Sequence, residues 1–204
     1  MFDFDDAAKP KNIFSKSVAQ LHEFYLSGEI TEPEDYVEWL DVIRSAGEQD
    51  TVKIYINSPG GNVDTAIQFM QVLKGTSAYV ICSVEGACMS AATMIFLSAD
   101  ELEICDHALF MFHNYAGGAF GKGGEIYDQI QFERSWSRKL LENVYREFLT
   151  PTEITQMLDN KDIWLDSDEV RARIKIIQDK LLKMQTQKEV TSEEATEDWD
   201  TRVS

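Results

Sequence analysis

The chain is short of positive charge: 19 Lys and Arg stand against 36 Asp and Glu, a formal net charge of −17. So acidic a protein repels the phosphates on which sequence-independent nucleic-acid binding relies, and an anionic membrane surface likewise, so neither partner is expected. Long apolar runs are missing too. No stretch reaches the roughly 18 residues a membrane-spanning helix needs. The opening Met1-Phe2-Asp3-Phe4-Asp5-Asp6 lacks the basic-then-apolar order of a secretory leader. Cysteine is scarce: Cys82, Cys88 and Cys105 make an odd count with no Cys-x-x-Cys, which predicts reduced, buried thiols in a cytoplasmic protein. With only three histidines besides, no metal centre and no cofactor is expected. There is no internal repeat.

What remains suffices for one substantial core: 204 residues, 44% of them hydrophobic. Residues 1–16 read as a polar, flexible arm. His22–Ile30 reads as a strand and turn. Thr31-Glu32-Pro33-Glu34 reads as a capped helix start, with Thr31 capping and Glu34 completing a capping box. Val52–Asn57 is a β-branched strand, and Val63, Ala66, Ile67, Met70 and Leu73 outline a helix. Ala78–Val84, almost continuously apolar, predicts a strand buried on both faces. Further strands are expected at Leu102–Cys105 and Ala108–His113, and a long helix over about Glu125 to Phe148. Strands alternating with helices make this an α/β fold with a largely parallel sheet. From about Gln178 a helical and acidic extension, 178–204, follows the main domain at 17–177, and its acidic end is expected to be disordered.

Two short segments carry the chemistry. Asn57-Ser58-Pro59-Gly60-Gly61 closes a strand with backbone N–H groups on a glycine turn. Gly86-Ala87-Cys88-Met89-Ser90-Ala91-Ala92 sets one hydroxyl at a strand-to-helix junction. A nucleophile needs a reactive oxygen and nearby donors for the charge that develops on attack. His113 follows at the end of an apolar strand, in preference to His22 and His107, and that order suggests a serine hydrolase. A triad also needs a carboxylate to hold the imidazole, and among 36 acidic residues spacing alone selects none. The glycine-rich Ala116–Gly124 fails as a phosphate loop: the spacing before Lys122 is too short, and Gly123 stands where Ser or Thr is required. It reads instead as a backbone-accessible strand edge able to pair with an extended peptide.

These residues resemble the ClpP-type serine peptidases, the proteolytic subunits of ATP-dependent Clp proteases, over about residues 23–170. The anchors are Ile54–Gly61, Gly86-x-x-x-Ser90, Met111-Phe112-His113-Asn114, Gly117-Gly118-Ala119-x-Gly121 and Asp162–Val170. The resemblance implies a ClpP/crotonase-like spiral of ββα units with a protruding handle, here about 114–149. It implies a serine endopeptidase with Ser90 as nucleophile, His113 as general base and Asp162 as orienting carboxylate. The N–H groups of Gly61 and Ala91 would form the oxyanion hole, and substrate would pair as an added strand with Gly60, Gly117, Gly118, Ala119 and Phe120. It further implies self-assembly into stacked seven-membered rings and unfolded polypeptide substrates fed in by a hexameric AAA+ ATPase. Two other classes share features of the pattern: a silent structural subunit of a mixed ring, and an acyl-CoA enzyme of the same superfold. Arg171–Ile176 departs from the family's Tyr-Gly-Leu stretch, so the final strand is expected to be altered or missing.

Overall fold

The computed structural model describes residues 18–200, with side chains through residue 186; the expected arm at 1–16 lies outside the described residues. Six strands form one sheet: β1 (Leu21–Ser27), β2 (Thr51–Ser58), β3 (Tyr79–Met89), β4 (Glu101–Ile104), β5 (Leu109–Phe112) and β6 (Ile163–Asp166). Their order is β1-β2-β3-β5-β6, with β4 also on β3. All pairings are parallel except β5 with β6. The eleven residues of β3 take β4 against Ile81–Val84 and β5 against Ala87–Met89. One edge thus serves two successive partners, and the sheet steps there. Ser90 follows β3 directly, just past the residues that pair with β5.

Six helices complete the α/β fold: α1 (Val37–Ser45), α2 (Val63–Gly75), α3 (Ala91–Phe96), α4 (Gly123–Tyr145), α5 (Pro151–Leu158) and α6 (Ser167–Asp200). Val52, Ile54, Ile56, Val80, Cys82 and Val84 are fully buried in the core they share with Phe69, Ile95 and Phe96. Among the described residues, no helix is long and apolar enough to cross a membrane.

Several local expectations are corrected. Among the described residues β2 and β3 are covered on one face only: over Val80–Val84 β3 alternates buried and half-buried positions, and Tyr25, Tyr55 and Lys53 stack across the other face, with rings 4.8 Å apart and Lys53 Nζ 5.3 Å from the Tyr55 centroid. The predicted capping box at Thr31 does not form. A 3-10 turn over Pro33–Tyr36 precedes α1 without a side-chain cap, and the Glu32 carboxylate accepts from the Asn62 amide instead. The glycine-rich stretch after His113 is irregular up to α4 and pairs with no strand among the described residues. The last helix starts at Ser167, well before Gln178. Asp166 Oδ1 accepts the N–H groups of Asp168 and Glu169, while Glu169 accepts that of Asp166: a capping box legible in Asp166-x-x-Glu169. The final strand is accordingly absent, its residues lying within α6, and α6 remains helical to Asp200.

One ion pair ties α5 to α6. Arg173 grips Glu153 with two bonds of 2.7 and 2.8 Å, and Glu153 also accepts the N–H of Thr150 at the α5 start. The Arg173 guanidinium, helped by the Thr150 bonds and opposed by burial, holds the Glu153 carboxyl down to about 2 from an ordinary 4.5. A carboxylate whose folded pKa is depressed stabilises the fold above its unfolded pKa and loses that contribution as pH falls toward its folded one. Glu153→Gln should therefore lower stability by about 1–3 kcal/mol at neutral pH. In urea denaturation, the gap between wild type and variant should narrow as pH falls from 4.5 toward 2. A gap that stays constant over that range would refute the assignment.

Candidate active site

Ser90 stands between the end of β3 and the start of α3 with φ 54° and ψ −127°. A non-glycine residue there is strained, by about 1–3 kcal/mol. Three bonds hold it. Its N–H donates to Met111 O at 2.8 Å, while its carbonyl accepts the Thr93 N–H at 2.9 Å and the Thr93 hydroxyl at 2.7 Å. Such a turn lifts the side chain off the sheet, the geometry of a nucleophile elbow. His113 directly follows β5, next to the strand that anchors Ser90. Its Nε2 lies 2.6 Å from Ser90 Oγ, so a hydroxyl and an imidazole far apart in sequence form one hydrogen-bonded pair.

The glycine turn abuts this pair. Gly60 has φ 92°, and a Cβ there would fall 2.6 Å from both Met89 O and Ser90 Cβ. Only glycine lets β2's end approach so closely. Gly61 has φ 149°, and a Cβ there would strike the Ile30 carbonyl. Ile30 N–H donates to Gly60 O, and Asn62 N–H donates to Ile30 O. Those bonds flank Gly61 on one edge, so its own N–H faces the other. Neither the Gly61 N–H nor the Ala91 N–H has a hydrogen-bond partner among the described residues. Both residues line a cleft of about 500 Å³ with Ser90, His113, Met94 and Trp136. Asn57 braces the turn: its Oδ1 accepts Ala87 N–H at 3.0 Å, in space that a Cβ on Gly86 would fill.

Asp162 is near but not engaged. The antiparallel β5–β6 register ends at Phe112↔Ile163, so the next pair along would be His113↔Asp162. Asp162 is exposed and makes no hydrogen bond or ion pair with His113 among the described residues. Asn114 ties the two segments just beyond them, donating to Asn160 Oδ1 at 3.0 Å and Leu158 O at 3.4 Å. Of the residues expected to pair with substrate, Gly60 lines the cleft. Gly117, Gly118 and Ala119 line an adjoining hollow of about 680 Å³, and Phe120 is fully exposed. Sequence reasoning missed Thr93 and Tyr145, whose buried hydroxyls meet at 2.7 Å behind Ser90. A threonine three residues after the elbow serine was the available signal. Cys82 and Cys88 are buried, their thiols pushed up by burial.

The Clp protease family model matches residues 11–192. The ATP-dependent Clp protease proteolytic subunit 2 of Pseudomonas aeruginosa is 25% identical over 156 residues, 74% of this chain and 76% of its own. Subunit 2 of Treponema pallidum is 24% identical over 165 residues, 78% of this chain and 82% of its own. Subunit 3 of Rhizobium etli is 25% identical over 132 residues, 64% and 68% respectively. With its model matched over nearly the whole length and its relatives at a quarter identity, the chain belongs to the Clp protease family as a divergent, ClpP-like peptidase.

Proposed function

We propose that this protein is a serine endopeptidase in which Ser90, His113 and Asp162 form the triad, and the N–H groups of Gly61 and Ala91 form the oxyanion hole. The observation that carries the reading is the 2.6 Å contact between Ser90 Oγ and His113 Nε2 beside two uncommitted backbone N–H groups. Ser90 Oγ attacks the scissile carbonyl while His113 takes its proton. The oxygen that becomes negative is received by the two amides, which cost nothing to reorganise. His113 then protonates the leaving amine as the C–N bond breaks, and water releases the acyl group by the same steps in reverse order. Asp162 swings or zips onto His113, fixing its tautomer and stabilising the imidazolium. The β5–β6 register supports this, since one further pair brings opposed Cβ atoms within about 5 Å.

Substrates are unfolded polypeptides of the cytoplasm, held as an added strand by the backbones of Gly60 and of Gly117 to Phe120, a mode that reads little side-chain identity. The subunits enclose their sites in a homo-oligomeric chamber of stacked heptameric rings fed by a hexameric AAA+ ATPase. Support for assembly lies in apolar surface left open: Tyr127, Ile130 and Phe132 on the handle helix α4, and Tyr25 and Tyr79 on the uncovered sheet face.

Ser90→Ala should abolish both fluorophosphonate labelling and hydrolysis of an unfolded protein while leaving assembly by mass photometry unchanged; residual cleavage would exclude Ser90 as nucleophile. Asp162→Asn should lower kcat by about 100- to 10,000-fold with labelling slowed in parallel. An unaffected kcat would remove Asp162 from the triad.

A further inference from the structure

Behind the nucleophile runs a buried chain of hydroxyls that nothing in the acylation chemistry requires. Tyr145 stands at the end of α4, 1% exposed, and Thr93 stands in α3, 0% exposed. Thr93 has a single hydroxyl proton, and it goes to the Ser90 carbonyl at 2.7 Å. The 2.7 Å contact between Thr93 Oγ1 and the Tyr145 hydroxyl is therefore donated by Tyr145. Burial pushes the Tyr145 phenol up, so it stays a neutral donor. Two hydroxyls taken out of water cost more than an apolar pair of the same shape unless their bonds do something. Here the chain Tyr145 O–H to Thr93 O–H ends on the one carbonyl that shares a peptide unit with the Ala91 N–H.

That unit is planar, and the described chain has no cis peptide bond. In a trans peptide the C=O and N–H point in opposite directions. Pinning Ser90 C=O toward Thr93 thus aims Ala91 N–H the opposite way, away from the protein interior in which Thr93 lies. The Tyr145 ring also packs edge-on against Phe112, the residue before His113, with centroids 5.4 Å apart at 89°. One side chain from the handle helix therefore bears on the nucleophile's peptide and on the strand that carries the base.

We propose that Tyr145 and Thr93 are positioning residues that aim the Ala91 N–H at the developing oxyanion, coupling the handle helix to transition-state stabilisation. The proposal rests on the Ser90 reading above, and the test separates the two. A hydrogen bond made mainly in the transition state affects kcat rather than KM. Tyr145→Phe keeps the ring and removes the donor. Per active site titrated with a fluorophosphonate, it should lower kcat about 10-fold with KM unchanged. It should also weaken inhibition by a peptide boronic acid, whose tetrahedral adduct carries an oxygen at the oxyanion position, by the same factor. Thr93→Val should do so at least as strongly, and Thr93→Ser, which keeps the hydroxyl, should recover most of the loss. A Tyr145→Phe protein with wild-type kcat and boronate affinity would overturn the proposal. So would a loss that lies wholly in the fraction of titratable sites, with each remaining site turning over normally. A wild-type protein that the fluorophosphonate fails to label would overturn the Ser90 reading itself.

Discussion

The site depends on one unfavourable backbone conformation being held in place. Ser90 at φ 54° exists because β3 runs on just far enough for β5 to take its N–H, while α3 starts at once and takes its carbonyl. Neither partner is local chance. The β3–β5 pairing begins only where β4 leaves off, and that handover locates both the elbow and the end of β5 at His113. If the step in the sheet were moved by one residue, every side chain beyond it would change face, and the Ser90–His113 contact would be lost with it. The 2.6 Å contact is thus a consequence of sheet topology more than of the two side chains.

The same economy of partners applies to the glycine turn. Ile30 engages the groups that flank Gly61 and leaves its N–H facing away, while Gly60 makes room for Ser90. A backbone donor fixed by such a bridge needs no reorganisation to meet a developing charge, as the proposed oxyanion hole requires. The handle helix reaches the site at its C-terminal end, where Leu141 and Tyr145 are buried. Its N-terminal half is largely exposed, and Tyr127, Ile130 and Phe132 are apolar side chains on that open surface. One helix thus serves the interior at one end and presents an apolar outer surface at the other.

Much of this was legible in the residues. β-branched runs gave β2 and β3, and apolar spacing gave α2 and α4. The ordered anchors around Gly61, Ser90 and His113 correspond to groups that now meet. What was not legible depended on partners far along the chain. Thr31 and Glu34 form no capping box, and a strand that reads as doubly buried has one face open because, among the described residues, helices cover only one side of it. Residues 116–124 read as an edge for an incoming peptide, but the onset of α4 at Gly123 and the irregular stretch before it follow from no local pattern. The start of α6 was written plainly in Asp166 and Glu169, but that stretch was read only as the anchor Asp162–Val170, with helix expected from about Gln178.

The loose member of the proposed triad is Asp162, and its position is informative. The β5–β6 ladder stops one pair short of His113↔Asp162, directly where the irregular glycine-rich segment begins on one side and the α5–β6 loop ends on the other. Asn114 already bonds that loop at Leu158 and Asn160, so the two segments are tethered beyond the gap as well as before it. A gap closed at both ends needs only a local adjustment, not a rearrangement of the fold, to bring carboxylate and imidazole together. The segment that must adjust is also the one expected to receive substrate as a neighbouring strand. A bound peptide would supply the ladder that this edge lacks. Order imposed on the glycine-rich segment would then extend toward His113, linking occupancy of the cleft to completion of the proposed triad.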